Sequence, residues 1–334
     1  MRLSAPKLLL DAKALLGEGP SWDAAHQRLY WVDVYAGHLH VYQPDSGEDH
    51  IHELGKMLGC AAPTRSGKLI LGLRDGLASI DLSTDIGIKK NSFQPLSTDY
   101  ADDADKTKKN LRKSAKSVEK TFLGNYTLTY LAQPELALPE NRFNDGKCGP
   151  DGRFVAGTMH QAEKETSGSL YSLSPDGTLK TLIRGVGISN GLTWSADYKT
   201  MYYIDTPTRK VLAYDYDLKS GEIANPRVAV KVPAAFGWPD GMTSDTQGRL
   251  WVALWGGAAL SLWESGTGKL IERIAIPAKN VSSCAFGGPQ RNQLYVTSAR
   301  KGLDQAALTA YPATGGLFRI DTDIEGMPTF EFGD

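Results

Sequence analysis

Residues 185–205 read GVGISNGLTWSADYKTMYYID, and the fold turns on whether a helix or a strand succeeds Ser189. Gly187-Ile188-Ser189-Asn190-Gly191 matches the G-x-S-x-G pattern in which a hydrolase presents a nucleophilic serine on a strand-to-helix turn. That arrangement needs a helix after the serine and a histidine later in the chain. GLTWSAD instead reads as a short strand and a turn, and all six histidines lie at or before residue 160. The match is accidental for that fold, although chain order alone leaves open a triad assembled in another order. Attention moves one residue along, to Asn190.

Asn190 opens a pattern that recurs. EGPSWDAAHQRLYWVD (18–33), NGLTWSADYKTMYYID (190–205) and DGMTSDTQGRLWVA (240–253) each run from a polar residue through a small or turn residue, a short strand and a turn. Each then enters a second strand rich in Tyr, Trp, Val or Ile. Weaker copies start near Cys60 (CAAPTRSGKLILGL), Asn144 (NDGKCGPDGRFVAG) and Ser283 (SCAFGGPQRNQLYVT). Third strands such as HLHVYQP, LASIDLS, GSLYSLSP, KVLAYDYD and GLFRIDT succeed several of them. A lone small sheet cannot bury both faces, so six such units predict an all-β, six-bladed β-propeller forming one domain over residues 1–334.

Composition agrees with a globular chain. Of 334 residues 41% are apolar, and 37 Lys and Arg nearly balance 38 Asp and Glu. Bulk charge therefore points to neither a nucleic acid nor a membrane partner. No apolar run approaches the ~18 residues of a membrane span. Leu8-Leu9-Leu10 is broken by Asp11 and Lys13, too short for a signal peptide. Cys60, Cys148 and Cys284 are widely spaced and odd in number. They argue against a disulfide framework and for a reducing compartment, so a cytoplasmic location is expected.

One segment departs from the strand pattern. In residues 97–124, Tyr100, Ala104, Leu111, Ala115, Val118 and Phe122 form an apolar stripe, acids crowd the start and Gly124 suits the end. An amphipathic helix inserted in blade two is expected there, either packed on the propeller or available for self-association or protein docking.

Residues before each inner strand of a propeller converge at one end of the channel. The three best-aligned copies place Glu18, Asn190 and Asp240 there, with Cys60, Asn144 or Asp145, and Ser282 or Ser283 from the others. Two carboxylates and an amide oxygen make a hard donor set for Ca²⁺, Mg²⁺ or Mn²⁺, or less specifically Zn²⁺. Taken singly, each could be a turn cap; together they point to one divalent cation.

LLGEGPSWD, NRFNDGKCGPDGRFVAGTM, ISNGLTWSAD, MYYIDT, GWPDGMTSDTQGRLWVA and VSSCAFGG resemble the senescence marker protein/regucalcin/gluconolactonase family of six-bladed propellers, over nearly the whole chain outside 97–124. The resemblance implies a divalent-metal lactone hydrolase, with calcium the leading cation. It implies Glu18, Asn190 and Asp240 as metal ligands, and Asp240 also as the base that activates water. Substrate contacts would come from Arg142 and Asn144, with Asp145 beside the metal. A glutamate that some members carry after GTM falls on Ala162, so Glu163, adjacent, is the candidate contact, and His160 enters the same run. The expected reaction is opening of a sugar lactone by polarisation of the ester carbonyl and base-assisted water attack. Alternatives are hydrolysis of other lactones or phosphotriester-like compounds, or a non-catalytic calcium-binding or scaffold propeller. His38, His40, His50 and His52 alternate along two strands without supporting ligands and are expected to be exposed; Trp238, before Pro239, is expected in the pocket wall.

Overall fold

The computed structural model describes residues 1–82, 120–123 and 126–333, and nearly all of its regular structure is β. The sheets are six, radially arranged, and five of them have four strands. Blade one runs Gly17–Asp23, Arg28–Asp33, His38–Gln43 and Glu48–Glu53 from the channel outward. The inner strands of blades two to six are Leu58–Pro63, Asn141–Cys148, Ser189–Trp194, Trp238–Ser244 and Asn280–Gly287. Alternate residues of each blade face its two neighbours, which is why the strands read as nearly continuous apolar runs. Six apolar clusters result, each filling the gap between adjacent blades. The last gap joins Trp22 and Trp31 of blade one to Tyr295 and Leu317 of blade six, with the Trp22 and Tyr295 rings 5.7 Å apart. Blade six borrows its outermost strand from the other end of the chain. Lys7–Leu10 pairs antiparallel with Leu317–Asp321, so the ring closes by strand pairing.

The inserted helix expected over 97–124 falls mostly outside the described residues. Its last part is corrected: Lys120–Leu123 is a strand, paired antiparallel with Tyr126–Ala132 as a fifth strand of blade two. Pairing with an available sheet edge overrides the local helical pattern there. Among the described residues the one α-helix is short, Gln305–Ala310, capped by Asp304, whose carboxylate accepts the Ala307 N–H at 2.8 Å in the usual N-cap role.

Two devices set the inner strands. At the hairpin turns, a buried aspartate gathers the next strand. Asp23 accepts from His26 N–H, Arg28 and Tyr30, and Asp245 accepts from Gln247 N–H, Arg249 and Trp251. At the other end, Asp33 accepts the N–H groups of Leu15 and Leu16, and Asp205 those of Gly187 and Ile188. These bonds clamp the chain just before it enters the inner strands of blades one and four. The far end of the channel is crossed by the C-terminal segment. Met327 N–H bonds the Ser244 carbonyl and Phe332 N–H that of Pro63, and Met327–Phe330 floors a space of about 40 Å³ with Asp145 and Lys147.

Candidate active site

Every inner strand carries a register shift near its start. The shifts fall at Glu18/Ser21, Leu58/Cys60, Phe143/Gly146, Ser189/Leu192, Pro239/Met242 and Val281/Ser283. A bulge turns an extra side chain out of the ladder and re-aims it. Glu18, Asn144, Asp145, Asn190, Asp240 and Ser282 sit at these bulges, and all are buried. The residues expected just before the inner strands thus lie within them, one bulge deep. Gly191 and Gly241 come directly after the bulge residues because the next blade is too close for a side chain. A Cβ on Gly241 would stand 2.0 Å from Ser283 Oγ, and one on Gly191 2.7 Å from the Asp240 carbonyl oxygen.

The bulges open into a cleft of about 500 Å³ at one end of the channel. Glu18, Asn190 and Asp240 line it together with Arg142, Asn144 and Glu163. Trp238 forms part of the wall, with the Arg209 guanidinium 3.4 Å from its ring centroid. Ser189, by contrast, is fully buried, and its Oγ accepts the Tyr203 hydroxyl at 2.9 Å. It stabilises the core, and its hydroxyl is hydrogen-bonded to a tyrosine rather than to a histidine.

Hydrogen bonds fix how the amides point. Thr206 Oγ1 donates to the Pro239 carbonyl at 2.8 Å and therefore accepts from Asn190 Nδ2, 2.7 Å away. This leaves Asn190 Oδ1 directed away from Thr206, where Asn144 Nδ2 reaches it at 3.0 Å. The same Asn144 amide donates to the Ser189 carbonyl at 2.8 Å, and its oxygen accepts from Arg142 Nη1 at 2.6 Å. Arg142 is itself 2% exposed, and its Nε has no partner. An Arg142–Asn144–Asn190 chain thus ends on the Asn190 oxygen.

The carboxylates carry the electrostatic signature of the site. Burial, and then the charge of Asp145, push Glu18 up to about 8; the Gly19 N–H and Arg142 only partly oppose this. Burial, then Glu18 and Asp145, raise Asp240 well above the carboxylate range, with Lys301 opposing only weakly. Asp145 is also raised by burial, with the nearby Lys147 ammonium opposing. Acids crowded this way favour a positive charge among them. Among the described residues no three His, Cys, Asp or Glu side chains form a metal-ligand cluster. The candidate set is therefore two carboxylates with an amide oxygen, all hard donors, and they fit a divalent cation.

Glu163 lines the cleft, whereas Ala162 and His160 do not. His160 Nδ1 instead accepts the Ala162 N–H at 3.1 Å and shapes the turn. His40 corrects another expectation. It is 3% exposed, its Nδ1 lies 2.6 Å from Asp49 Oδ2, and its ring stacks on Trp31 at 3.7 Å. His38 and His52 are half-buried on the same sheet, and His50 is exposed as expected. All three cysteines are buried. Sequence reasoning missed Thr206, Asn280 and Lys301, which also line the cleft. Thr206 directly succeeds MYYID in the repeat, and that offset was the available signal; Lys301 lies in a loop outside the repeated unit.

The fold and the site define a class: a six-bladed propeller with buried oxygen donors from its inner strands gathered at one channel mouth. A family model described as SMP-30/Gluconolactonase/LRE-like region matches residues 16–300, and the chain belongs to that family. The Bacillus subtilis strain 168 protein named "Putative sugar lactone lactonase YvrE" is 33% identical over 322 residues, covering 96% of each chain. Regucalcin of Xenopus laevis is 33% identical over 310 residues, 91% of this chain and 90% of its own. A solved structure described as a calcium-binding protein, regucalcin, from Agrobacterium tumefaciens C58 has a TM-score of 0.82 at 28% identity. The match covers 98% of this chain and 97% of that one. Among the described residues no helix is long and apolar enough to cross a membrane.

Proposed function

We propose that this chain is a divalent-metal-dependent lactonase that opens sugar lactones. The observation that carries the reading is the convergence of Glu18, Asn190 and Asp240, repeat-equivalent bulge residues, on one cleft, with both carboxylates pushed up by burial and by neighbouring acids. The family membership and the lactonase name of a full-length relative support it. Glu18, Asn190 Oδ1 and Asp240 would hold the cation, calcium being the leading choice. When bound, the cation supplies a Lewis acid for the ester carbonyl and lowers the cost of ionising both carboxylates. Asp240 accepts the proton of the attacking water. Arg142, Asn144 and Glu163, which line the cleft, orient the sugar through their polar groups. Trp238, braced by Arg209, gives the lactone ring an apolar wall.

A panel of sugar lactones, simple lactones and aryl phosphotriesters, assayed with Ca²⁺, Mn²⁺, Zn²⁺ or EDTA, tests this. Turnover of lactones that EDTA abolishes and a divalent cation restores is the expected result. Calcium binding without turnover on any member would overturn the enzymatic reading in favour of a calcium-binding propeller.

A further inference from the structure

An ion pair spans the mouth of the cleft, and its lysine has no part in the chemistry described above. Lys301 Nζ donates to Glu163 Oε1 at 2.5 Å. Glu163 lies in the loop after strand Phe154–His160 of blade three, and Lys301 in the equivalent loop after Gln293–Ala299 of blade six. In a ring of six blades, three and six face each other, so this ion pair reaches across the mouth. Both side chains line the cleft that holds Glu18 and Asp240.

The pair is part-exposed, Lys301 at 31% and Glu163 at 42% of the side chain, and it is the lysine backbone that is anchored. The Lys301 N–H bonds the Leu15 carbonyl at 2.9 Å, and the Asn280 amide donates to the Lys301 carbonyl at 3.0 Å. Its ammonium also lies 5.3 Å from the centre of the Tyr35 ring, on which Arg142 packs at 5.7 Å. Glu163 is held in the left-handed region, φ 59°, at a residue that is not glycine. Such a conformation costs energy and persists where surrounding contacts impose it. Burial pulls the Lys301 pKa down, but bonds to Glu163 and Tyr35 more than compensate, so the ammonium keeps its charge.

We infer that Lys301, with Glu163, is the specificity-determining pair of this site and selects uncharged, polyhydroxylated lactones. The inference rests on the lactone-opening reading. A fixed donor beside a fixed acceptor matches two sugar hydroxyls, one accepting from the ammonium and one donating to the carboxylate. A phosphate or carboxylate on the substrate would instead meet an ammonium already neutralised, with Glu163 repelling it. A lactone without hydroxyls gains nothing from either group.

The test compares kcat and KM of the metal-loaded protein on D-glucono-1,5-lactone, its 6-phosphate and unsubstituted δ-valerolactone. The wild-type protein is expected to prefer the uncharged sugar lactone over the phosphorylated one. In Lys301→Met the ratio of kcat/KM for the sugar lactone to that for δ-valerolactone should fall about tenfold, mainly through KM. Lys301→Arg, which keeps a charged donor, should recover most of that ratio. Equal changes on both lactones in Lys301→Met would overturn the inference, since a fold-supporting or gating role moves them together. So would a wild-type preference for the phosphorylated substrate. Failure of the wild-type protein to hydrolyse any of the three would overturn the lactonase reading itself, and the selectivity with it.

Discussion

Asn190 shows how much of a candidate ligand is decided by its neighbours. The amide could point either way, and Thr206 settles it by donating to Pro239 and accepting from Asn190 Nδ2. Thr206→Val keeps the shape and removes both bonds, so the Asn190 oxygen loses its fixed aim. Calcium affinity measured by titration calorimetry should fall by about tenfold or more, with the fold intact by circular dichroism. The repeat made Glu18, Asn190 and Asp240 legible from the sequence because equivalent positions in three blades carry oxygen donors. Thr206 was legible only as the residue after MYYID, without its role, and Lys301 was not legible. One acts through another side chain, and the other meets Glu163 from 138 positions away, a distance that no local pattern records.

At the scale of the strand, the bulge decides where function sits. The inner strands of blades one and four enter the channel clamped by Asp33 and Asp205, bulge once, and turn a polar side chain toward the cleft. The glycine after the bulge in blades four and five lets adjacent inner strands touch. Gly241→Ala would drive a methyl group to 2.0 Å from Ser283 Oγ, forcing blades five and six apart beside Asp240. Overpacking of this kind costs about 1–3 kcal/mol. The melting temperature should drop by several degrees and calcium affinity with it; an unchanged melt would refute the close-packing account. Strand periodicity in the sequence located the blades, but it could not show the bulges, which depend on pairing with the second strand. The same limit explains Lys120–Leu123, whose strand form comes from its partner Tyr126–Ala132. It also explains His40, buried by its cross-strand neighbour Trp31 and by Asp49.

Across the whole molecule, the buried acids couple stability to pH. Glu18 has a folded pKa of about 8 against 4.5 in the unfolded chain. The folded state then holds more protons between those values, and stability declines as pH rises through that window. Asp240, also raised, acts in the same direction. Protein treated with EDTA should melt lower at pH 8 than at pH 5.5, Glu18→Gln should flatten that slope, and added calcium should raise the melting temperature more at pH 8. A calorimetric scan across pH, with and without calcium, checks all three; a Glu18→Gln slope equal to wild type would refute the assignment.

The C-terminal crossing at the far end of the channel has a last consequence. Met327–Phe330 leave about 40 Å³ beneath Asp145, room for about one water and for nothing the size of a sugar. Among the described residues the far end is closed by that crossing, and the cleft is reached from its mouth. Any organic molecule that enters must leave by the same passage, past Lys301 and Glu163, before the next can take its place.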